Sequence, residues 1–335
     1  MSAEENKAES KIYLSSSPHF TKGTRTQKIM LAVLISLLPE CVYGCIVFGF
    51  NALLTIVASV AACIVFEYLF QKATKQRIVV GNLSAAVTGV LLALVLPPTL
   101  PVWMVLIGDA VAIVIAKGLF GGLGSNTFNP ALTGRGFMVL SFGGAMSAWL
   151  DPVAKKAGLD AISSATILSK VKEGSFTPDS QTLLTYFLGN RAGCIGETSI
   201  ILILISCLFL LICRIIDWRA PLAMVTTVVL GTFIHSFALS ADCIKALTDT
   251  AFALVSGGLL FGAVFMVTDY ATSPVTKIGR LVFGFGCGLI TFLIRTWGGY
   301  PEGVMFSILI MNAVVPFLNN LTGIKYGYGK KARHC

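Results

Sequence analysis

One polar stretch near the middle of the chain concentrates hydroxyl side chains between two series of apolar segments. It reads Asp160-Ala161-Ile162-Ser163-Ser164-Ala165-Thr166. By local propensity it is a turn that leads into a short helix, with Ser163 or Ser164 as the N-cap. The surrounding fold decides whether these hydroxyls do more than shape a turn, so their position has to be established first.

Two other polar stretches are rich in side-chain amides and turn formers. They are Gly121–Pro130 and Asp269–Thr276. In the first, Asn129 is suited to cap a helix that begins at Pro130. The alternative is that Asn126, Asn129 and Asp269 converge, where they would hydrogen-bond a polar ring or coordinate an ion. The sequence leaves both interpretations open.

Asp109 is the carboxylate placed deepest within an apolar segment. An ionisable group inside a membrane span is a functional hypothesis by default, because an unpaired charge in lipid is costly. Asp109 is therefore a candidate for an ion path. Glu40 and Glu67 lie nearer to segment ends, where their side chains would reach water. The sequence has no Ser-His-Asp set, phosphate-binding loop or dinucleotide motif, so no catalytic residue is predicted.

The nine cysteines are scattered, and no two of them form a C-x-x-C pair. Zinc and iron–sulfur sites generally use closely spaced thiolates, so we expect no metal centre built by this chain alone. Most of the cysteines fall in apolar segments, where Cys acts as a small hydrophobic residue. Cys194 and Cys243 lie in loops, and the sequence leaves open whether they pair.

The composition is that of a polytopic membrane protein. Hydrophobic residues make up 55% of the 335 residues and charged residues only 12%, about half of the charged share in soluble domains. Several apolar runs approach the ~20 residues that span a bilayer. The basic residues behind the net charge of +9 are dispersed between these runs. They do not form the basic face of a nucleic-acid-binding protein.

Ten apolar segments are predicted to cross the membrane as helices. They are residues 29–49, 51–70, 82–97, 102–119, 130–149, 198–216, 220–240, 251–268, 280–296 and 302–320. If the N-terminus is cytoplasmic, most of the 25 Lys and Arg residues fall on the inner side, Lys117 and Arg135 among them. This is the expected charge bias. Both termini are therefore predicted to be cytoplasmic, and the loop with Thr166 to face the periplasm or exterior.

The segments form two groups of five, which indicates an inverted repeat. Val87–Leu92 in the third segment resembles Val255–Leu260 in the eighth, and a proline-bearing break follows each. Because five is odd, the second copy would be inverted, as in many transporters. The predicted fold is all-α, with about ten transmembrane helices in two inverted five-helix repeats. Its parts are a cytoplasmic N-terminal segment 1–28, repeats 29–149 and 198–320, an external loop 150–197 and a cytoplasmic tail 321–335.

In this setting the hydroxyl-rich stretch resembles a flavinylation signal of the D-x-x-[ST]-[GS]-A-[ST] type. In such sites a flavin transferase joins the phosphate of FMN to the last hydroxyl as a phosphoester, and that hydroxyl would belong to Thr166. The rest of the signal would be Asp160, Ser163, Ser164 and Ala165. The small side chains leave room for the transferase, although Ser164 stands where glycine is frequent in the motif.

Over roughly residues 15–320 the chain resembles the D subunits of Rnf complexes, the ion-translocating ferredoxin:NAD+ oxidoreductases. The matching stretches are Ser17–His19, Phe128–Ala131, Thr268–Pro274, Arg295–Gly303 and Asn312–Pro316. The B subunits of sodium-translocating NADH:quinone oxidoreductases are a related alternative. They share the fold and the flavin threonine but have a longer N-terminal extension.

The resemblance implies an electron-carrier subunit of an enzyme complex, inactive when isolated. FMN on Thr166 would take electrons from a second covalently flavinylated subunit, while other Rnf subunits react with ferredoxin and NADH. The related quinone oxidoreductase holds a riboflavin near its cytoplasmic surface, and Asn126, Asn129 and Asp269 occupy the matching loops. Asp109 would take part in transport of Na+ or H+. The implied location is a bacterial or archaeal cytoplasmic membrane. Further implied partners are membrane lipid and the flavin transferase that acts on the chain during its maturation.

Two alternatives carry no redox role. A small-solute permease would suit the inverted repeat, but it has no reason to display a flavinylation signal outside. A structural membrane subunit whose flavin site has decayed would differ from the electron carrier only in the absence of bound flavin.

Overall fold

The computed structural model describes residues 26–150, 162–163, 180–189, 191–300 and 302–323. The helices of the first group are α1 Thr26–Phe48, α2 Phe50–Ala73, α3 Ser84–Leu94, α4 Val102–Ala110, α5 Pro130–Ser141 and α6 Gly143–Met146. A 3-10 turn at Val80–Asn82 precedes α3, and a π-helical segment at Val111–Gly118 continues α4. Two short strands, β1 Trp149–Leu150 and β2 Ile162–Ser163, pair antiparallel, with Trp149 opposite Ser163.

The later helices are α7 Ser180–Leu188, α8 Ile200–Ile212, α9 Arg219–Ser240, α10 Cys243–Val255, α11 Leu259–Phe261, α12 Lys277–Trp297 and α13 Val304–Thr322. A 3-10 turn at Ile195–Glu197 precedes α8, and a π-helical segment at Gly262–Met266 continues α11. Several helices begin after a residue whose side-chain oxygen accepts a hydrogen bond from a backbone N–H of the first turn, which would otherwise lack a partner. Asp242 caps α10 and Thr276 caps α12 in this way.

Five of the described helices, α1, α2, α9, α12 and α13, are long and apolar enough to cross a membrane. The pair formed by α10 and the α11 segment would make a sixth span, bent by 57°. The predicted segments 82–97, 102–119, 130–149 and 198–216 contain shorter helices. For example, α3 has 11 residues and covers ~16 Å of a ~30 Å hydrocarbon core. The fold is therefore helical and multi-pass with five to six candidate spans, and the count of ten is not confirmed.

The two stretches that suggested the repeat have different structures. Val87–Leu92 lies wholly within α3, whereas Val255–Leu260 contains the break between α10 and α11. Gly257 adopts φ +63° in that break, a region that favours glycine. Gly89, by contrast, lies within α3. Its lack of a side chain lets α3 approach α2, because a Cβ there would lie 2.9 Å from the carbonyl oxygen of Ser59.

The order of helix contacts is nevertheless similar in the two groups. In the first, α2 packs against α3 and α4, and α4 packs against α5. In the second, α9 packs against α10 and α12, and α12 packs against α13. The groups meet where α1 contacts α8 and where α5 contacts α13. One apolar core runs through both groups.

Candidate functional site

The predicted flavinylation signal lies almost wholly outside the described residues. Asp160, Ser164, Ala165 and Thr166 fall in the gaps, and of Ser163 only the backbone in β2 is described. β2 pairs with β1, which follows α6 closely. Ile162 and Ser163 are thereby paired with the residues that follow the first helix group, and Thr166 as the flavin acceptor stays a prediction.

Asn126, Asn129 and Asp269 lie in the lining of one cleft, which we name the amide cleft. It encloses about 770 Å³, part of which is open to solvent. Polar groups of Ser84, Thr88, Lys117, Thr268 and Tyr270 also line it, together with apolar side chains such as Val33, Leu91, Leu210 and Phe265. A mostly apolar cleft with a few converging polar groups is typical of small-molecule sites.

The side-chain amides of Asn126 and Asn129 also stabilise the loop in which these residues lie. Asn129 Oδ1 accepts a hydrogen bond from the N–H of Leu132 at 3.3 Å, so Asn129 caps α5. Its Nδ2 donates across to the carbonyl of Met266 at 3.5 Å. Asn126 Nδ2 donates to the carbonyl of Phe128 at 3.2 Å. The capping interpretation of Asn129 is therefore correct, and capping and cleft lining coexist.

Asp269 is held by the turn that follows it. Its Oδ2 accepts from the hydroxyl of Thr272 at 3.0 Å and its Oδ1 from the N–H of Ala271 at 3.5 Å. Burial raises the pKa of the Asp269 carboxyl above its ordinary value, although these hydrogen bonds act to lower the pKa. The carboxyl consequently gains a proton more readily than an exposed one does.

A buried ion pair lies on the wall of the amide cleft. Lys117 Nζ is 2.7 Å from Glu67 Oε1 and 2.7 Å from the hydroxyl of Ser84. Lys117 is 2% exposed and Glu67 is 5% exposed. The expectation that Glu67 reaches water was therefore wrong, because the side chain turns inward to Lys117. Glu40 is also buried, at 2% exposed, and accepts from the hydroxyl of Ser206 at 2.8 Å.

Asp109 is fully buried between α4 and α2. Its Oδ1 lies 2.6 Å from the hydroxyl of Ser59 and 3.3 Å from the thiol of Cys63. Within the described ranges no cation pairs with it, and Oδ2 has no hydrogen-bond partner. The structure thus places Asp109 in a separate site near the end of α4, whereas Lys117 lies within the π-helical segment that begins two residues after Asp109.

The hydrogen count at Asp109 favours a protonated carboxyl. The hydroxyl of Ser59 lies 2.9 Å from the carbonyl oxygen of Gly89 as well as 2.6 Å from Asp109. A hydroxyl has one hydrogen to donate. Both contacts are satisfied together when Ser59 donates to Gly89 and accepts from the acid, and a neutral acid also avoids an unpaired charge in the core.

The structure gathers three arginines and two glutamates in a largely buried cluster that the sequence did not predict. Its members are Arg135, Arg191, Glu197, Arg295 and Glu302. Arg135 Nη2 donates to Glu302 Oε2 at 2.8 Å, and Glu302 Oε1 accepts from the N–H of Gly258 at 3.0 Å. The charge count placed Arg135 on the inner side. The structure gathers Arg135 with Arg191 and Arg295 in one cluster, so the three cannot lie on opposite sides of a membrane.

The cluster caps the broken helix of the second group. Arg295 donates to the carbonyl oxygen of Ala253 at 2.7 Å, and Arg191 donates to the carbonyls of Val255 and Glu197. Free carbonyls at a helix C-terminus attract cations. Charged residues next to Gly-rich breaks were the sequence signal for this cluster, since Glu302 follows the Gly-Gly of Arg295–Gly303.

Cys194 and Cys243 are separate free thiols. Cys194 is buried beside Arg135, with Sγ 3.6 Å from Nη2, whereas Cys243 is exposed. Among the residues that the structure describes, no three His, Cys, Asp or Glu side chains gather as a metal site.

Three curated relatives cover nearly the whole chain, and each is named as the D subunit of its complex. The chain is 40% identical to that of the "Proton-translocating ferredoxin:NAD(+) oxidoreductase complex" of Clostridium ljungdahlii, over 94% of this chain and 96% of that protein. It is 41% identical to that of the "Na(+)-translocating ferredoxin:NAD(+) oxidoreductase complex" of Acetobacterium woodii, over 93% of each. It is 38% identical to that of the "Ion-translocating oxidoreductase complex" of Stutzerimonas stutzeri, over 91% of this chain and 93% of that protein.

The resemblance found in the sequence is thereby confirmed, and the relatives are named as subunits of an enzyme complex. A family model described as "NQR2, RnfD, RnfE family" matches residues 13–326. This range includes both helix groups, the amide cleft, Asp109 and the Thr166 stretch. The chain belongs to the NQR2, RnfD, RnfE family.

Proposed function

We propose that this chain is the electron-carrying D subunit of an ion-translocating ferredoxin:NAD+ oxidoreductase complex in a bacterial or archaeal cytoplasmic membrane. The observation that carries the proposal is the identity of 40% and 41%, over more than nine tenths of each protein, to two relatives with that name. The other subunits of the complex would react with ferredoxin and NADH, and one of them would carry a second covalent flavin. The isolated chain is expected to be inactive.

The proposal includes a fold of ten membrane-crossing segments in two inverted groups of five. The similar order of helix contacts in the two groups supports it, as does the meeting of α1 with α8 and of α5 with α13. Short helices such as α3 and α5 would complete their crossings together with the non-helical residues that flank them. Non-helical backbone inside a membrane is tolerated where protein buries it, and Val95 and Leu96, which follow α3, are 2% and 0% exposed.

The proposed cofactor is FMN, joined through its phosphate to the hydroxyl of Thr166. A bound flavin supplies one- and two-electron transfer, and the protein supplies attachment and orientation. Asp160, Ser163, Ser164 and Ala165 would present Thr166 to the transferase. The antiparallel pairing of Ser163 with Trp149 fixes the start of this stretch, so the acceptor would be attached to the end of the first helix group.

In-gel fluorescence of the denatured chain, co-produced with a flavin transferase, tests the acceptor. The wild-type band is expected to fluoresce under ultraviolet light and the Thr166→Ala band to be dark. Thr166→Ser is the matched control, because it keeps a hydroxyl, and it is expected to retain fluorescence. A dark wild-type band beside a labelled control substrate would overturn the carrier role and favour the permease.

The amide cleft is the proposed site of a second, non-covalent flavin, riboflavin. Its apolar walls suit an aromatic ring system, and the amides of Asn126 and Asn129 offer donors and acceptors to the ring edge. Asn129→Asp keeps the oxygen that caps α5 but loses the Nδ2 donor. The purified variant is expected to lose non-covalent flavin, measured by absorbance after extraction. Unchanged riboflavin in this variant and in Asn126→Ala would contradict the assignment.

We also propose that Asp109 takes part in the transport of the coupling ion. The relatives carry "Proton-translocating" and "Na(+)-translocating" in their names, so they leave the ion open. The hydrogen count at Asp109 supports a proton. Asp109→Asn is expected to lower ferredoxin-driven ion uptake into membrane vesicles while the covalent flavin is retained. Unchanged uptake would remove Asp109 from the path.

A further inference from the structure

A second cleft, which we name the arginine cleft, lies between the α8–α9 connection and the start of α12. Its charged lining residues are Arg214, Asp217, Arg219 and Arg280. The cleft encloses about 1270 Å³, part of which is open to solvent. It adjoins the amide cleft and shares Ile215, Ile216, Thr268 and Tyr270 with its lining, but its charged residues belong to neither the proposed flavin site nor the proposed ion site. The proposed function therefore leaves its charge unexplained.

Asp217 holds two of the arginines side by side. Its Oδ2 accepts from Arg219 Nη1 at 2.7 Å and from Arg280 Nη1 at 2.8 Å. Arg280 Nε also donates to the carbonyl oxygen of Pro274 at 3.0 Å. Each guanidinium carries five N–H donors, so most of these donors are left for a ligand. The guanidinium groups of Arg219 and Arg280 are held in place before any ligand binds, and this lowers the entropy cost of binding.

The cleft has an excess of positive charge. Three arginines line it against the one carboxylate of Asp217, and Arg214 has no acidic partner within the described ranges. Paired guanidinium groups match the geometry of phosphate oxygens. The cleft is therefore suited to bind an anion that carries a phosphate group.

The surroundings of the cleft are apolar and exposed. Val275, which lines it, is 77% exposed, and neighbouring Ile212 and Ile278 are 72% and 64% exposed. Trp218 also lines the cleft at 53% exposed, with the guanidinium of Arg219 5.3 Å from its ring centroid. In a membrane protein such apolar surfaces contact acyl chains, and Trp is enriched at the level of the headgroups.

We propose that the arginine cleft binds the phosphate of an anionic phospholipid, whose acyl chains lie on the adjacent apolar side chains. A free phosphate would satisfy the arginines but not the exposed apolar surface. The charge bias of the sequence predicts that Arg214 and Arg219 are cytoplasmic, and the cytoplasmic leaflet carries anionic lipids that basic pockets between helices recognise. Phosphatidylglycerol belongs to this class, because its headgroup carries one phosphate charge and no cationic group.

Native mass spectrometry of the purified, delipidated complex tests the site. Phosphatidylglycerol is expected to bind more tightly than phosphatidylcholine of the same chain length. Arg214→Gln breaks no ion pair of the described structure and is expected to weaken phosphatidylglycerol binding about five-fold. Arg280→Gln is expected to weaken it at least as much. Arg77→Gln, at an exposed position in the α2–α3 connection outside the cleft, is the matched control and is expected to change nothing.

Four results would overturn the proposal. Equal binding of the two lipids would remove the anion site, as would full phosphatidylglycerol binding by Arg214→Gln. If millimolar inorganic phosphate displaced phosphatidylglycerol from the wild-type complex, and this displacement did not occur in Arg214→Gln, the cleft would be assigned to a soluble phosphate ligand. Loss of a neighbouring subunit from the Arg214→Gln complex would assign the cleft to a protein contact.

Discussion

Glu67 and Asp109 are buried carboxyl groups of the first helix group, and their surroundings differ in one respect. Glu67 pairs with Lys117 at 2.7 Å, whereas the polar side chains that contact Asp109 within the described ranges are a hydroxyl and a thiol. Removing one partner of a buried ion pair leaves an uncompensated charge and costs about 3–5 kcal/mol. Replacing a neutral acid by an amide of nearly the same shape leaves no charge behind.

We therefore expect Glu67→Gln to lower the free energy of unfolding by about 3–5 kcal/mol and Asp109→Asn to lower it by less than about 1 kcal/mol. Thermal unfolding of the purified variants in one detergent, followed by intrinsic fluorescence, compares them. Equal losses would show that Asp109 is charged in the folded protein, and the proton assignment would then be wrong.

Two loop carboxyls are predicted to give opposite pH dependences. Burial raises the pKa of Asp269, so the folded state binds its proton more tightly than the unfolded state does. Its contribution to stability is present below the unfolded pKa and is lost as pH rises through the folded pKa. We expect Asp269→Asn to flatten the decline of the melting temperature above the ordinary carboxyl range. An unchanged slope in that range would contradict the raised pKa.

Asp217 is expected to behave in the other way. Partial burial acts to raise its pKa, but hydrogen bonds from the Arg219 backbone and from Arg280 and Arg219 side chains outweigh it, and the pKa is lowered. Its contribution is present above the unfolded pKa and is lost as pH falls through the folded pKa. Asp217→Asn should therefore flatten the acid limb of a melting-temperature series and leave the neutral region parallel to the wild type.

Sequence predicts residue roles well when the partner is local. The cap at Asn129 follows from Asn-Pro at a helix start, and its partner Leu132 is three residues away. Glu67 was misjudged because its partner Lys117 lies on another helix. A near-continuous apolar pattern does not determine how α2 is rotated or shifted along α4. It therefore does not predict which polar side chains of the two helices face each other.

At the scale of elements, close helix packing in the second group depends on glycine. In α12, a Cβ at Gly288 would lie 2.6 Å from the carbonyl oxygen of Met224, and one at Gly284 would lie 3.0 Å from Cα of Ala220. Both neighbours belong to the backbone of α9, which cannot rotate away. Small residues at such crossings let membrane helices approach closely.

Gly284→Ala and Gly288→Ala are accordingly expected to lower the free energy of unfolding by about 1–3 kcal/mol each through overpacking. Gly144→Ala is the matched control, since a Cβ there would meet nothing within 4 Å. Unfolding of the three variants in detergent, with far-ultraviolet circular dichroism as the readout, measures the difference. A loss at Gly144 as large as at Gly288 would contradict the packing argument.

Hydropathy predicted the positions of the helices but not their lengths. Each predicted segment contains helical residues, because burial of backbone in an apolar run requires internal hydrogen bonds. The eighth, 251–268, combines the end of α10 with α11 and the π-helical segment after it. Four of these helices are short, as α5 with 12 residues shows. A hydropathy average does not distinguish a full crossing from a short helix followed by apolar coil, since both remove the same side chains from water.

For the whole molecule, the arrangement of α9 offers a direct test of topology. α9 is one of the five helices long enough to cross the membrane, and an exposed cysteine lies beyond each end, Cys213 and Cys243. The two thiols should therefore face opposite sides. The charge bias, with Arg214 and Arg219 beside Cys213, predicts that Cys213 is cytoplasmic and Cys243 external.

A membrane-impermeant maleimide is expected to label Cys243 in intact cells or spheroplasts, and Cys213 only in inverted vesicles, with peptide mass spectrometry as the readout. Cys243→Ser and Cys213→Ser variants identify each signal and control for the other cysteines. The reverse pattern would invert the whole assignment and place Thr166 in the cytoplasm, where an external flavin relay could not use it. Labelling of both thiols from one side would mean that α9 does not cross, and the second group could not then be an inverted copy of the first.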